Sequence, residues 1–188
     1  MNNKIYDLLV EKQAIMTGHF VLTSGLHSNK YIEKFRVLED PESLEKICKE
    51  MSSKFKSDNI DIVVGAAIGA ILLSSGVAKE LGIYGIFTER INGEMVLKRG
   101  FSIPKGARVL VVEDIVTTGG SIKEIISVLE SLDAEIVGIS SLAHRGKLID
   151  FGYRYKPLVE INIETWDLDN IPTWLDEIPI TKPGSTGK

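Results

Sequence analysis

Apolar and polar positions fall into short blocks that predict strands and helices in alternation along most of the chain. Almost continuously apolar runs, typical of strands buried on both faces, lie at residues 60–65, 108–112 and 135–141, with a further short strand at 84–88. Apolar residues at helical spacing predict helices at residues 41–55, 70–81 and 121–132. This alternation predicts an α/β fold: a doubly wound, mostly parallel sheet with helices on both faces.

The N-terminal region does not follow this alternation. Residues 1–16 place apolar side chains at roughly helical spacing, and residues 18–22 predict a short strand. A polar turn at 23–28 and a second alternating segment at 31–35 follow. We expect these elements to form a small N-terminal hood beside the α/β core.

Two later segments also stand apart. Residues 89–103 contain Asn92-Gly93 and several basic residues, which predicts an exposed hairpin or flap. The tail from Thr165 is rich in Trp, Asp and Pro and predicts a poorly ordered arm that packs through Trp166 and Trp174. We therefore predict a single domain over residues 1–188, divided into hood elements at 1–40, a core at 41–160 and a C-terminal arm at 161–188.

Composition narrows the class of protein. The chain has 188 residues, 44% of them hydrophobic and 26% charged, which is typical of one globular domain. Its formal net charge is −4, from 22 basic and 26 acidic residues. A general nucleic-acid binder or membrane-surface binder needs a basic face, so we predict neither type of partner.

The cysteine and histidine content predicts neither a disulfide nor a zinc site. Cys48 is the single cysteine, and the three histidines show no metal-ligand spacing. We expect Cys48 to be a small buried apolar residue, and His27 and His144 to be polar loop residues. The N-terminus lacks a secretory-signal pattern, and the longest apolar runs are too short to span a bilayer, so a cytoplasmic location is predicted.

The stretch that carries chemistry is residues 109–121, V-L-V-V-E-D-I-V-T-T-G-G-S. A buried strand brings Glu113 and Asp114 to its carboxyl end, where open α/β sheets bind their ligands. The Thr/Gly/Ser loop that follows runs directly into a helix, and its hydroxyl groups and backbone N–H groups suit a phosphate monoester. The two carboxylates suit the vicinal hydroxyls of a ribose, with sugar hydroxyls or a divalent cation separating them from the phosphate.

A simpler interpretation of this stretch is that the two acidic residues cap the next helix and that Thr-Thr-Gly-Gly is an ordinary turn. The complete order of strand, two acids, glycine loop and helix favours a binding site over that interpretation.

Residues 109–121 resemble the phosphoribosyl-pyrophosphate signature of the type I phosphoribosyltransferases. Residues 18–28, G-H-F-V-L-T-S-G-L-H-S, are similar to the hood segment of the orotate phosphoribosyltransferases within that family. Residues 65–70, G-A-A-I-G-A, stand where the family has its pyrophosphate loop, and Arg145 in His-Arg-Gly stands where it has the arginine that meets the orotate carboxylate. The resemblance covers residues 1–160 and the closing Lys-Pro-Gly-Ser at 182–185.

The resemblance implies transfer of ribose 5-phosphate from phosphoribosyl pyrophosphate to orotate, which yields orotidine 5′-monophosphate and pyrophosphate in pyrimidine biosynthesis. It implies catalysis by Glu113, Asp114, Arg90, Lys98 and Arg99. The implied phosphoribosyl-pyrophosphate site comprises Glu113, Asp114, Ile115, Val116, Thr117, Thr118, Gly119, Gly120, Ser121, Ala67, Ile68 and Gly69. The implied orotate site comprises Thr117, Arg145, Thr23, Ser24 and Gly25. Mg²⁺ is the implied cofactor, held mainly through the substrate, and a homodimer that shares the flap across its interface is the implied assembly.

The sequence departs from the family pattern at three places. Thr23 stands where the well-studied enzymes have a hood lysine, and the flap contains no histidine. Ile68-Gly69 replaces a Tyr-Lys pair in the pyrophosphate loop. These departures resemble a divergent bacterial and archaeal subgroup, and they leave open which cation meets the departing pyrophosphate and whether Glu94 takes part in metal binding.

Two other functions remain as alternatives. A salvage transferase for a purine or for uracil shares the phosphate site, but the 20–28 segment together with Arg145 favours an anionic pyrimidine. A non-catalytic regulator that senses phosphoribosyl pyrophosphate and binds nucleic acid is disfavoured by the negative net charge.

Overall fold

The computed structural model describes residues 3–22 and 24–182, and contact density divides the chain into two compact units. One unit comprises Met1–Asp40 and Ile161–Lys188, and the other comprises Pro41–Glu160. In chain order the elements are α1 (Lys4–Glu11), β1 (Ile15–Val21), β2 (His27–Ile32), α2 (Phe35–Leu38), α3 (Pro41–Ser53), β3 (Ile62–Ala66), α4 (Ile71–Leu81), β4 (Tyr84–Ile91), β5 (Glu94–Leu97), β6 (Arg108–Val116), α5 (Gly120–Ser131), β7 (Glu135–Arg145), β8 (Tyr155–Ile161), β9 (Thr165–Trp166), a 3₁₀ helix (Leu168–Asn170), α6 (Thr173–Asp176) and β10 (Ile180–Thr181).

The unit Pro41–Glu160 is built on a sheet whose strands lie in the order β5-β4-β3-β6-β7-β8. The four central strands are parallel: β3 pairs with β4 on one side and with β6 on the other, and β6 pairs with β7. The edge strand β5 runs antiparallel to β4. This arrangement confirms the predicted doubly wound, mostly parallel sheet.

Helices cover both faces of this sheet because its central strands are apolar on both faces. Val64, Val109 and Val111 belong to one buried cluster with Ile122 and other apolar residues of α5. Side chains alternate along a strand, so the intervening apolar positions of β3 and β6 point to the opposite face. The helix α4 packs against β3, β4 and β6, and α3 packs on α4.

The other unit contains the N-terminal elements and the C-terminal segment. Its described residues form a sheet in the order β10-β1-β2-β9, in which β1 and β2 form an antiparallel pair. Strand β10 runs parallel to β1, and β9 runs antiparallel to β2. Asn3 caps α1, since its side-chain oxygen accepts hydrogen bonds from the backbone N–H groups of Ile5 and Tyr6.

The predicted central strands are present, but they are longer than their apolar runs. Strand β6 continues past residue 112 to Val116, and β7 continues past residue 141 to Arg145. These continuations mix apolar with polar residues, E-D-I-V in β6 and L-A-H-R in β7, so hydrophobicity alone did not mark where the strands end. Pairing between the two strands maintains them, because Glu113 lies opposite Ser141 and Val116 lies opposite His144.

Further corrections concern the two ends of the chain. Residues 31–35 were predicted as a strand, but β2 ends at Ile32 and α2 begins at Phe35. The prediction of a poorly ordered tail is wrong for 165–182, which forms two short strands and two short helices. Trp166 and Trp174 do pack together there, edge to face, with ring centroids 5.8 Å apart. Residues 183–188, including most of the closing Lys-Pro-Gly-Ser, lie outside the described residues.

The predicted flap is confirmed as a hairpin of β4 and β5. Asn92 and Gly93 connect the strands, with φ angles of 52° and 90°. Positive φ at both central positions is the backbone conformation that Asn-Gly favours in a tight hairpin turn. The prediction for Cys48 is also confirmed: the thiol is buried in α3, and burial raises its pKa to about 12.

None of the helices described between residues 3 and 182 has the length and apolar character that a membrane crossing requires.

Gly65 lies near the end of β3 and packs against the turn that leads into α4. Gly65→Ala is expected to lower the free energy of unfolding by about 2 kcal/mol. An added Cβ at this position would lie 2.6 Å from the main-chain oxygen of Ala70, which is part of the turn itself. Urea unfolding of the two proteins measures the difference.

Gly120→Ala is the matched control, because its added Cβ would meet nothing nearer than the Thr118 hydroxyl at 3.8 Å. Its stability is expected to be unchanged or slightly higher. Equal losses in the two variants would show that close approach at Gly65 is not the cause.

Candidate active site

The chain connections of the central sheet create a crevice between the carboxyl ends of β3 and β6. From β3 the chain passes through α4 to β4, on one side of β3. From β6 it passes through α5 to β7, on the opposite side. The two connections therefore diverge at the end of adjacent parallel strands, which is where open α/β sheets bind ligands.

The connection after β6 forms a cavity of about 220 Å³ at the start of α5. Its lining residues are those of the predicted phosphate loop together with one carboxylate and one core residue: Glu113, Ile115, Val116, Thr117, Thr118, Gly119, Gly120, Ser121 and Ile122. Gly119 precedes the helix in the left-handed conformation, with φ 73°, and provides no side-chain cap. The first backbone N–H groups of α5 therefore face an open cavity, where an anion would complete their hydrogen bonds.

The two predicted carboxylates lie within β6 and are both buried. Glu113 follows Val109 and Val111 on the face that α5 covers, and it lines the cavity. Asp114 is on the opposite face of the strand. The Glu113 carboxylate accepts a hydrogen bond from the backbone N–H of Asp114, and the Asp114 carboxylate accepts one from the backbone N–H of Ile115. The pair thus flanks the strand end with two negative charges.

The predicted pyrophosphate loop follows β3, next to the carboxylates. Gly65 pairs with Val112 in the sheet, so residues 66–70 and residues 113–117 leave adjacent positions. The backbone N–H of Ala67 donates to the carbonyl of Thr88 on β4, at 2.7 Å, and the peptide bond between Ala67 and Ile68 is cis. Ile68 is 77% exposed, and residues 66–70 read A-A-I-G-A, so only the backbone of this loop can hydrogen-bond a ligand.

Arg145 ends β7 beside the phosphate loop. Val116 and His144 are paired across β6 and β7, so Thr117, the first residue after β6, lies beside Arg145, the last residue of β7. The arrangement brings the predicted phosphate site and these two predicted orotate residues to one edge of the sheet.

His144 is buried within β7, so its prediction as a polar loop residue is wrong. Its Nε2 lies 2.9 Å from the carbonyl oxygen of Lys147, and its Nδ1 lies 3.1 Å from the Tyr155 hydroxyl. The Ser141 hydroxyl lies 2.7 Å from that same Tyr155 oxygen. Burial raises the pKa of Tyr155 to about 12, so the hydroxyl keeps its proton at neutral pH.

The two flap arginines form ion pairs with acidic residues. Arg90 pairs with Glu124 of α5, and Arg99 forms a two-pronged pair with Glu89, at 2.8 and 2.9 Å. Lys98 is exposed. Arg90, Lys98 and Arg99 lie on or next to the β4–β5 hairpin. The hairpin turn follows the carboxyl end of β4, which is the neighbour of β3 in the sheet.

The predicted hood residues belong to the other unit. Ser24 and Gly25 lie in the turn between β1 and β2, where Gly25 has φ 82°. Thr23 lies outside the described residues. His27 is buried at the start of β2 and contacts His19, with a nitrogen-to-nitrogen distance of 2.6 Å, so its prediction as a polar loop residue is also wrong.

Sequence reasoning missed three residues that support the site. Phe151 packs beneath the phosphate loop, because a Cβ added to Gly119 would lie 2.7 Å from its ring. Ser141 and Tyr155 form the hydrogen-bonded group with His144. The sequence shows Ser141 within an apolar strand and Tyr155 in a later segment. Neither position indicates that the two side chains are hydrogen-bonded across strands.

The described residues contain no cluster of three or more His, Cys, Asp or Glu side chains arranged to hold a metal ion. A cation at the crevice would therefore take only one or two ligands from the described part of the chain and the rest from water and substrate, as Mg²⁺ commonly does.

Comparison with known proteins extends over nearly the whole chain. The Phosphoribosyl transferase domain family matches residues 36–177. A protein from Desulforamulus reducens named orotate phosphoribosyltransferase is 44% identical over 184 residues, which cover 97% of this chain and 96% of the relative. A protein of the same name from Caldicellulosiruptor saccharolyticus is 44% identical over 187 residues, or 98% of each chain. The crystal structure of orotate phosphoribosyltransferase from Aeropyrum pernix matches with a TM-score of 0.68 and 27% identity, over 84% of this chain and 93% of that one.

The ion pair between Glu89 and Arg99 in the flap changes the pKa of Glu89, which can be measured. Hydrogen bonding and charge from Arg99 hold the pKa of Glu89 below its ordinary value of 4.5. Because the pKa is lowered in the folded protein, the pair favours the folded hairpin at higher pH and is lost as the pH falls through the lowered value. We expect a carbon-13 NMR titration of Glu89 to give a midpoint below 4.5.

Arg99→Gln is expected to return that midpoint to the ordinary range. Lys98→Gln is the matched control, because Lys98 lowers the pKa of Glu89 less than Arg99 does. If the two variants shift the midpoint equally, the pairing of Glu89 with Arg99 is not its cause.

Proposed function

The chain belongs to the phosphoribosyltransferase family and, within it, to the orotate phosphoribosyltransferases, and we propose that its own crevice residues transfer ribose 5-phosphate from 5-phospho-α-D-ribose 1-diphosphate to orotate. The products are orotidine 5′-monophosphate and diphosphate, and the reaction belongs to pyrimidine biosynthesis. The residue assignment rests on the cavity at the start of α5. Glu113 and the Thr-Thr-Gly-Gly-Ser loop line this cavity, and Asp114 adjoins it, where the connections from β3 and β6 diverge.

The phosphate loop is proposed to bind the 5-phosphate of the substrate. Backbone N–H groups at the start of α5 and the hydroxyls of Thr117, Thr118 and Ser121 supply donors around one small cavity. Gly119 and Gly120 place no side chain between the ligand and the backbone. Binding here fixes one end of the substrate and leaves its anomeric carbon near the end of β6.

Glu113 and Asp114 are proposed to accept hydrogen bonds from the ribose hydroxyls. The bond from the anomeric carbon to diphosphate breaks as the bond to orotate forms, so positive charge develops on the sugar ring. Two buried carboxylates at fixed positions stabilise that charge, and they need no reorganisation when it appears.

The loop after β3 and the flap are proposed to bind the leaving diphosphate. Ala67, Ile68 and Gly69 present mainly backbone to the crevice, and Arg90, Lys98 and Arg99 supply positive charge from the hairpin. In the structure Arg90 pairs with the exposed Glu124, and Arg99 pairs through two hydrogen bonds with Glu89, which is partly buried. Closure of this flap across a homodimer interface is part of the proposal, and light scattering of the purified protein tests the dimer.

Orotate is proposed to bind Thr117 and Arg145, which lie side by side at one edge of the sheet. Thr23, Ser24 and Gly25 stay proposed orotate contacts on the strength of the sequence resemblance. A guanidinium group binds a carboxylate through two parallel hydrogen bonds, which an ammonium group does not reproduce. Arg145 therefore supplies selectivity for an anionic pyrimidine over uracil.

Mg²⁺ is the proposed cofactor, because a site with few protein carboxylates next to phosphate oxygens fits an ion that retains water. When bound, it neutralises charge on the diphosphate. Glu113 lines the cavity and is the carboxylate proposed to contact such an ion. We also propose a cytoplasmic location, in keeping with a single buried thiol.

The assignment is tested by mixing the purified protein with orotate, phosphoribosyl pyrophosphate and Mg²⁺ and following the ultraviolet absorbance of orotate. Absorbance is expected to fall only when Mg²⁺ is present and to recover when diphosphate is added. If orotate is unchanged and uracil or a purine base reacts instead, orotate is not the substrate. If no base reacts, the chain is not a transferase of these bases.

Asp114→Asn is expected to lower turnover about 100-fold while leaving the fold intact. The substitution removes a negative charge from the reacting centre, yet the amide oxygen still accepts the hydrogen bond from Ile115. Steady-state kinetics and thermal unfolding measure the two effects. Asp133→Asn, which removes an exposed carboxylate elsewhere, should leave turnover unchanged; undiminished turnover in Asp114→Asn would exclude the ribose role.

Arg145→Ala is expected to raise the KM for orotate about 10- to 100-fold, because a charge-assisted contact is worth about 1.5–3 kcal/mol. The KM for phosphoribosyl pyrophosphate should change less than about threefold, since the phosphate loop is untouched. Lys147→Ala removes a positive charge from the same turn and should affect neither constant. Equal increases in both KM values for Arg145→Ala would indicate a structural role.

A further inference from the structure

A group of buried polar side chains lies directly behind the turn that carries Arg145. Ser141 and His144 are on β7, and Tyr155 is on β8; the first two are fully buried. None of them belongs to the sequence motifs assigned to phosphate, ribose or diphosphate.

The hydrogen-bond directions in this group follow from one acceptor. The carbonyl oxygen of Lys147 can only accept, so the Nε2 of His144 carries the proton. In the neutral ring Nδ1 is then an acceptor, and the Tyr155 hydroxyl donates to it. The Ser141 hydroxyl in turn donates to the Tyr155 oxygen. With the ring neutral, every member has one compatible role, and the imidazole is held in a single tautomer and orientation.

The same hydrogen-bonded group fixes the backbone of the turn that carries Arg145. The bond from His144 to Lys147 spans Arg145 and Gly146, and Gly146 has φ 95°, a left-handed conformation that reverses the chain. The backbone on both sides of Arg145 is therefore held: by the β6–β7 ladder at His144 and by the imidazole at Lys147. A guanidinium group that must meet a carboxylate in a two-pronged geometry requires such a fixed origin.

Tyr155 also contacts Phe151, the residue that packs beneath the phosphate loop. Its ring packs edge to face on Phe151, with centroids 5.2 Å apart, and Phe151 lies beneath Gly119. One tyrosine thus contacts both the group behind the orotate arginine and the residue under the phosphate loop.

We propose that His144 is a positioning residue for the second substrate: its Nε2 proton, oriented by Tyr155, holds the Lys147 carbonyl and thereby sets the position of Arg145 for orotate. This inference rests on the proposed function, in which Arg145 binds the orotate carboxylate. It gives His144 a role that the sequence resemblance did not assign to it.

Two amide substitutions at His144 separate its two contacts. His144→Gln places an amide near the Nε2 position and retains a donor to the Lys147 carbonyl. His144→Asn places its amide near the Nδ1 position, so it retains a partner for Tyr155 and loses the Lys147 bond. We expect His144→Asn to raise the KM for orotate about tenfold, which corresponds to the loss of one buried hydrogen bond. His144→Gln should stay within about threefold of the wild type, and the KM for phosphoribosyl pyrophosphate should change less than about twofold in both.

A double-mutant cycle tests whether His144 acts through Arg145. In an Arg145→Ala background, His144→Asn is expected to cause no further increase in the KM for orotate. Additive increases would overturn the inference, as would equal changes in the two KM values. Should His144→Asn fail to fold, Tyr155→Phe replaces it in the cycle, because it removes the hydroxyl that orients the imidazole and leaves the ring packed on Phe151.

Amide hydrogen exchange provides a readout that does not depend on the substrate. Exchange at residues 145–148 is expected to be faster in His144→Asn than in His144→Gln. If wild-type protein does not use orotate but this difference is found, the proposed function fails and the role of His144 in holding the turn stands. If orotate is used and the exchange rates are equal, the positioning role fails alone.

Discussion

The candidate site depends on the parallel pairing of β3 with β6, because this pair marks the point where the chain connections diverge. At any other adjacent pair of parallel strands, one connecting helix would cover the space above the strand ends. Here the two connections leave in opposite directions, and a crevice is left between them. The close approach of Gly65 to Ala70 allows the β3 connection to turn away within a few residues. The hydroxyl and N–H groups of the loop after β6 can contact a ligand only because this topology leaves a crevice beside them.

Charge is the second constraint on the crevice. The two buried carboxylates at the end of β6 repel any phosphate bound to the adjoining loop. A ligand that places neutral hydroxyls against the carboxylates and phosphate against the helix N-terminus satisfies both regions. Arg90 and Arg99 of the flap add positive charge, and Arg90 exchanges its partner at little cost, since its exposed ion pair with Glu124 contributes little free energy. The distribution of charge is thus suited to a substrate that carries phosphate groups at both ends of a sugar.

The β6–β7 ladder links the parts of the site that are distant in sequence. It extends past residues 112 and 141 into a segment where polar and apolar side chains are buried together, and there Val116 lies opposite His144. Pairing of these strands places the phosphate loop beside Arg145, which follows it by more than twenty residues. The buried hydrogen bonds of Tyr155 and the packing of Phe151 under Gly119 stabilise that same region from β8 and the preceding loop.

The amino-acid sequence alone determined the α/β class, the apolar centres of the central strands, the Asn-Gly hairpin and the phosphate loop, because each depends on residues adjacent in the chain. Periodicity, turn preference and the Glu-Asp to Gly-Gly spacing are local properties. The tertiary structure decided where β6 and β7 end, that His27 and His144 are buried, and that 165–182 adds short strands to the N-terminal sheet. Those features depend on pairing and burial between distant segments, and a polar side chain gives no local sign of the partner that makes its burial possible.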